Sequence, residues 1–166
     1  MTAAGLAAFE GRRIVRSASE MELLGRSLGD ALTAGDLVVL TGPLGAGKTT
    51  LTRGIAEGLG VRGPVQSPTF VLARTHPSLR GGPALVHVDA YRLGSPAELD
   101  DLGLDLERSV TIVEWGRDMV DGLVDQWWEI ELDREGDPSA DASGASDAAP
   151  DADDTAPRLV TVQRRP

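Results

Sequence analysis

Residues 42–50 read Gly-Pro-Leu-Gly-Ala-Gly-Lys-Thr-Thr, a run in which three glycines lead into a lysine and a hydroxyl. Gly42, Gly45 and Gly47 permit backbone angles and a close approach that a Cβ would block, so successive N–H groups can converge on one anion. Lys48 adds a compact ammonium and Thr49 a hydroxyl, the types that hold the β and γ phosphates of a nucleoside triphosphate and its Mg²⁺. Lys48 is the only lysine in the chain, and a lysine placed at random meets these flanking residues about two times in a thousand. A guanine signature of the Asn-Lys-x-Asp kind is excluded, because the sequence contains no asparagine. ATP is therefore the expected nucleotide.

A phosphate loop needs carboxylates at the ends of neighbouring strands, to hold the metal or aim an attacking water. Asp89 follows Leu85-Val86-His87-Val88 and Glu114 follows Val110-Thr111-Ile112-Val113, so each stands where an apolar run meets the phosphate-binding face. Thr69, in Ser67-Pro68-Thr69-Phe70, is placed where a switch segment would offer a hydroxyl to the metal or the γ-phosphate. The same segment also suits an ordinary Pro-containing turn. His87 inside an apolar strand reads first as a satisfied core residue and second as a ligand or base. Arg92 could reach a phosphate or pair with an acid. Trp115, Trp127 and Trp128 read as packing or partner-surface residues, because no basic groove accompanies them for nucleic-acid stacking.

The elements that must position these groups follow from hydrophobic period and caps. Residues 12–16 form a short strand, and Ser17 with Glu20 has the spacing of a capping box that starts a helix. Met21, Leu24, Leu28, Ala31 and Leu32 recur at helical intervals, and Gly35 closes the connection to a buried strand at 37–40. That strand feeds the glycine loop, and a helix over 49–58 leaves it, aiming its positive end at the phosphates. Further strands are predicted at 70–75, 85–88, 110–113, 127–132 and 158–163. The strands beginning at Leu37, Leu85 and Val110 have the all-apolar character of a buried parallel centre, whereas the last two are expected to pair as an antiparallel hairpin. The fold class is thus α/β, a P-loop NTPase-type mixed sheet with a parallel centre and antiparallel edge strands, flanked by few helices.

With 166 residues the chain suits a single P-loop ATPase domain over 1–166. It has no cysteine, hence no disulfide or thiolate metal site, and its N-terminus shows neither a long apolar run nor a cleavage pattern. A soluble, cytoplasmic protein is expected. The formal net charge of −10 argues against this chain holding nucleic acid by itself. Residues 134–157 place seven carboxylates against Arg134 and contribute −6 of that charge. The stretch carries almost no large apolar side chain, and its composition predicts a disordered surface insertion between two strands.

Four segments in order, GPLGAGKTT at 42–50, SPTF at 67–70, HVDAYRL at 87–93 and VEW at 113–115, resemble the TsaE family. Its members are small bacterial ATPases needed for threonylcarbamoyladenosine modification of tRNAs that read codons beginning with adenine. The resemblance runs from about Ser17 to Asp133 and more weakly through 158–163. It implies ATP phosphate binding by Gly45, Ala46, Gly47, Lys48, Thr49 and Thr50, and Mg²⁺ at Thr49 and Glu114. It further implies that Asp89 and Thr69 sit beside the γ-phosphate and act with Lys48 in catalysis, with Ser17, Ala18 and Arg158 on the adenine side. The implied partners are the tRNA threonylcarbamoyltransferase subunit and its inactive paralogue, with tRNA engaged only through the complex and no membrane. Hydrolysis is expected to be weak alone and to depend on those partners. Two other readings share the loop: a small-molecule kinase with Asp89 as base and Arg92 on the phosphates, and a non-catalytic switch in which ATP occupancy alters partner binding. The kinase reading lacks an arginine-rich lid.

Overall fold

A computed structural model describes residues 5–43, 45–63, 65, 73–134 and 157–166. Leu44, Thr69, the 70–72 portion of a predicted strand and residues 135–156 of the predicted insertion lie outside the described residues. A 3-10 turn at Ala7–Phe9 is followed by β1 (Gly11–Val15), α1 (Ala18–Ala31), β2 (Leu37–Thr41) and α2 (Lys48–Leu59). Then come β3 (Ala73–His76), β4 (Ala84–Asp89), α3 (Pro96–Asp100), β5 (Ser109–Glu114), β6 (Trp127–Arg134) and β7 (Arg158–Arg165). The 3-10 turn and α3 were not predicted, being too short to carry a hydrophobic period. No described helix is long and apolar enough to cross a membrane.

The seven strands form one sheet in the order β1-β7-β6-β2-β5-β4-β3. Strands β2, β5 and β4 are mutually parallel, as their apolar character predicted. The β6–β7 hairpin is antiparallel as expected, but β6 also pairs in parallel with β2, from Val38 opposite Trp128 to Thr41 opposite Glu131. The parallel centre therefore has four strands, and antiparallel β1, β7 and β3 finish its two sides.

Both faces of the centre are covered, which is why its strands read as continuous apolar runs. Val38, Leu40, Val110, Ile112, Ile130 and Leu132 pack on one face with Met21, Leu28, Leu51 and Ile55 of α1 and α2. Leu37, Val39, Val86, Val88 and Val113 pack on the other with Leu99, Val120 and the chain around them. Ser17 caps α1 by accepting from the Glu20 N–H at 3.1 Å, while the Glu20 carboxylate accepts from the Arg16 N–H at 2.7 Å. The cap thus forms as predicted, with the returning bond one residue earlier than in the standard capping box.

The two helices on the first face meet backbone to backbone. A Cβ built on Gly25 would lie 2.5 Å from the Leu51 carbonyl oxygen, and one on Gly29 2.2 Å from that of Ile55. Reciprocally, Cβ atoms on Gly54 and Gly58 would lie 2.3 Å from the carbonyl oxygens of Glu22 and Arg26. Two Gly-x-x-x-Gly stripes thus let α1 clasp the helix that carries the phosphate loop. On the far hairpin, Glu129 is buried yet receives Arg117 Nε at 2.7 Å and Arg165 Nε at 2.6 Å.

Candidate functional site

Strand β2 runs out at Thr41 into the glycine loop, and each described glycine there has a distinct reason. At Gly42 a Cβ would lie 2.7 Å from the Leu132 carbonyl oxygen, because β6 passes directly against the loop. Gly45 and Gly47 have φ of +80° and +105°, the left-handed region that disfavours a side chain. Gly47 caps α2 with no side-chain hydrogen bond, and the Leu51 N–H to Gly47 carbonyl bond at 2.9 Å opens the helical ladder. Helix geometry leaves the N–H groups of Lys48, Thr49 and Thr50 without intrahelical partners, at the positive end of the helix. That is a fit for an anion, and for a phosphate in particular.

Lys48 is buried, and its ammonium donates to the carbonyls of Gly42 at 2.6 Å and Pro43 at 3.1 Å. It also lies 4.6 Å from the centroid of the Trp115 ring, within cation–π range. Burial pushes its pKa below the ordinary lysine value, and the charges of Glu114 and Asp89 pull back against that shift. The one lysine ammonium therefore rests on neutral partners, with both candidate carboxylates acting on it.

Asp89 and Glu114 are register partners at the carboxyl ends of β4 and β5, and Glu114 is also opposite Leu40 of β2. The sheet thus gathers loop and acids at one edge, where parallel α/β sheets bind ligands. Bonds from the Ala90 N–H to the Glu114 carbonyl (2.9 Å) and the Trp115 N–H to the Leu40 carbonyl (3.2 Å) tie the three strand ends together. Asp89 is half-buried and accepts from the Tyr91 N–H at 3.0 Å. Glu114 is buried, and its Oε2 lies 2.6 Å from His87 Nε2. His87 is fully buried, as a core residue would be, but its partner is a candidate site carboxylate.

Of the tryptophans read as packing or partner-surface residues, Trp128 is core and Trp115 lies at the surface. It is 38% exposed with φ of +60°, and its ring meets the exposed Tyr91 edge-on at 5.6 Å. A non-glycine residue at positive φ is strained by about 1–3 kcal/mol, and here that backbone conformation goes with a ring set over Lys48.

Thr49 and Thr50 are half-buried in the first turn of α2. Ser17 caps α1 and Ala18 opens it, and the same helix brings Met21 Cε to 3.2 Å from a Cβ built on Gly47. The first turn of α1 therefore abuts the loop. Arg158 donates through Nη2 to the Gly45 carbonyl at 3.2 Å, which brings β7 to the loop itself. Arg134, its register partner on β6, was missed by the sequence reading, and its Nη2 is 3.5 Å from a Cβ built on Gly45. The signal available was the hairpin pairing, which sets the two arginines opposite one another. Thr69 is outside the described residues.

Among the described residues no group of three or more His, Cys, Asp or Glu could hold a metal ion. A site of few protein oxygens suits Mg²⁺, which keeps its waters and takes substrate phosphate oxygens in place of a full protein cage. The Thr49 hydroxyl and Glu114 carboxylate, both hard oxygen donors beside an anion-binding loop, fit that demand.

A family model described as Threonylcarbamoyl adenosine biosynthesis protein TsaE matches residues 15–141. The tRNA threonylcarbamoyladenosine biosynthesis protein TsaE of Streptomyces coelicolor is 61% identical over 117 residues, covering 69% of this chain and 79% of that protein. Its namesake in Mycobacterium tuberculosis is 52% identical over 120 residues, covering 67% and 71%. That of Bacillus subtilis is 42% identical over 106 residues, covering 62% and 65%. Among solved structures, the crystal structure of Bacillus subtilis YdiB matches with a TM-score of 0.65 at 25% identity, covering 92% of this chain and 83% of that one.

Proposed function

The chain belongs to the TsaE family, and from that premise we propose that it binds ATP with Mg²⁺ and hydrolyses ATP for threonylcarbamoyladenosine modification of tRNAs reading codons that begin with adenine. Its partners in this reading are the tRNA threonylcarbamoyltransferase subunit and that subunit's inactive paralogue, in the cytoplasm, with tRNA held by the complex. The observation that carries the proposal is Lys48, the chain's one lysine, held on the carbonyls of its own glycine loop beside Glu114 and Asp89.

Entering phosphates would exchange those two neutral acceptors for anionic ones, and charge-assisted bonds are roughly twice as strong as neutral ones. Gly45, Ala46, Gly47, Lys48, Thr49 and Thr50 hold the phosphates, and Ser17, Ala18 and Arg158 lie toward the nucleoside. Thr49 and Glu114 hold Mg²⁺, which supplies charge neutralisation on the phosphate oxygens. Asp89 orients the water that attacks the γ-phosphorus; the bond to the bridging oxygen breaks and ADP keeps its electrons. Thr69 is assigned to the γ-phosphate side on sequence alone.

A single domain with net charge −10 has little means of holding tRNA on its own. The exposed Tyr91 and Trp115 beside the loop are the surface that a partner would cover. Completion of such a site by a partner group is worth about 10³–10⁵ in rate. Steady-state phosphate release is expected to be near background for the isolated chain, to rise with the transferase pair and to rise again with tRNA. An isolated chain as fast as the assembly, or one that bound tRNA tightly alone, would contradict the proposal.

A further inference from the structure

His87 lies midway along β4, flanked by Val86 and Val88 and opposite Ile112 of β5. Its exposure is 0%, so packing alone would be served as well by leucine. The imidazole carries a cost that leucine would not, because a buried polar group needs partners. One nitrogen has one, Nε2 at 2.6 Å from Glu114 Oε2, and the other, Nδ1, has none among the described residues. A side chain that is half satisfied and wholly buried is a poor choice for stability and a good one for holding a neighbouring carboxylate.

We infer that His87 is a positioning residue for Glu114, its Nε2–H holding one carboxylate oxygen so that the side chain is presented to the phosphate loop in a single orientation. This rests on the reading of Glu114 as a Mg²⁺ ligand given above. The geometry also assigns the donor. A carboxylate only accepts hydrogen bonds, so Nε2 carries a proton and donates it to Glu114. Carboxylates that ligate metals are commonly held by such second partners, whose loss costs 10–100-fold in metal affinity or activity.

The chain has only two histidines, and the structure sets them to donate through different ring nitrogens. His76 lies with Nδ1 at 3.1 Å from the Arg62 carbonyl, which can only accept, so its proton is on Nδ1. Nitrogen-15 spectra of histidine-labelled protein without nucleotide should show a proton on Nε2 of His87 and on Nδ1 of His76. Glu114→Ala should shift the Nε2–H ring and leave the other unmoved. A His87 ring with no proton on Nε2, or one indifferent to Glu114→Ala, would overturn the inference.

The functional readout is a Mg²⁺ titration of nucleotide affinity in His87→Gln, His87→Asn and His87→Leu, with thermal melting alongside. The Gln amide nitrogen reaches the place of Nε2, whereas the Asn amide reaches only that of Nδ1. His87→Gln should stay within a few-fold of the parent protein, while His87→Asn and His87→Leu should weaken Mg²⁺-dependent affinity by about 10–100-fold. Affinities that simply followed the melting temperatures would make His87 a packing residue and end the inference. Should His87→Leu fail to fold, the Gln and Asn variants decide it by the same comparison. If the parent protein itself showed no Mg²⁺-dependent nucleotide binding, the proposed function would fall and this inference with it. Normal binding by the parent and all three variants would remove this inference alone.

Discussion

Replacing Gly29 by alanine sets two effects of opposite sign against each other. Gly29 is in the interior of α1, where removing a glycine should stabilise a helix by about 1 kcal/mol. The new Cβ, however, would stand 2.2 Å from the Ile55 carbonyl oxygen, against 3.4 Å or more for ordinary contact. That oxygen belongs to the backbone of α2 and cannot swing aside, so the helices must part by about 1 Å, and overpacking of this kind costs about 1–3 kcal/mol or more. Because Gly25, Gly54 and Gly58 enforce the same close approach, the strain cannot be relieved locally. The net expectation is destabilisation by up to about 2 kcal/mol, a fall in Tm of up to about 8 °C for a domain of this size. Thermal melting with urea titration measures it, and Ser27→Ala, exposed on the same helix, reports propensity without the clash. A Gly29→Ala protein that melted above its parent would show that the helices do not meet backbone to backbone.

Glu114→Gln is expected to weaken Mg²⁺-dependent nucleotide binding by at least about tenfold, while Asp89→Asn leaves binding largely intact and lowers hydrolysis by about 10²-fold or more; a magnesium titration and single-turnover hydrolysis of both variants check it, and the reverse pattern would mean the roles are exchanged. Burial raises the pKa of Glu129, but hydrogen bonds from Arg165 and Arg117 and their charges outweigh it and hold the carboxyl below the ordinary glutamate range. A depressed carboxylate pKa stabilises the fold above the unfolded-state value and loses that stabilisation as pH falls through the folded value. The stability difference between the parent and Glu129→Gln should therefore be full near neutrality and shrink below the ordinary glutamate pKa, as denaturant titrations at several pH values would show; a pH-independent difference would contradict it.

Much of the site was legible in the sequence because its determinants are local. Gly45 and Gly47 occupy positive φ where the motif required glycine, and Asp89 and Glu114 stand in register because each ends an apolar strand of similar length. The capping serine was likewise readable from its spacing to Glu20, and the antiparallel pairing of β6 with β7 from the two strand patterns that flank the acidic stretch. What escaped depends on contacts between distant segments. His87 and Glu114 are 27 residues apart, and only the β4–β5 register brings them together. The parallel pairing of β6 with β2 leaves no trace in an alternating pattern that suits a hairpin equally well. Gly25, Gly29, Gly54 and Gly58 were visible as residues, but glycine lowers helix propensity and reads as a breaker until a facing helix explains it. Arg134 looked like the start of an acidic stretch, and its place beside Gly45 follows from pairing with Arg158.

Lys48 is the phosphate-binding cation of the proposed ATP site. Calorimetric titration of ATP with Mg²⁺ into the parent protein and Lys48→Ala tests this most directly, with melting curves to verify that both are folded. Two charge-assisted bonds lost at about 1.5–3 kcal/mol each correspond to a loss of roughly 10²–10⁴ in affinity. The predicted result is clear binding by the parent and none measurable for Lys48→Ala at an unchanged fold. Equal binding by the two proteins would contradict the central claim.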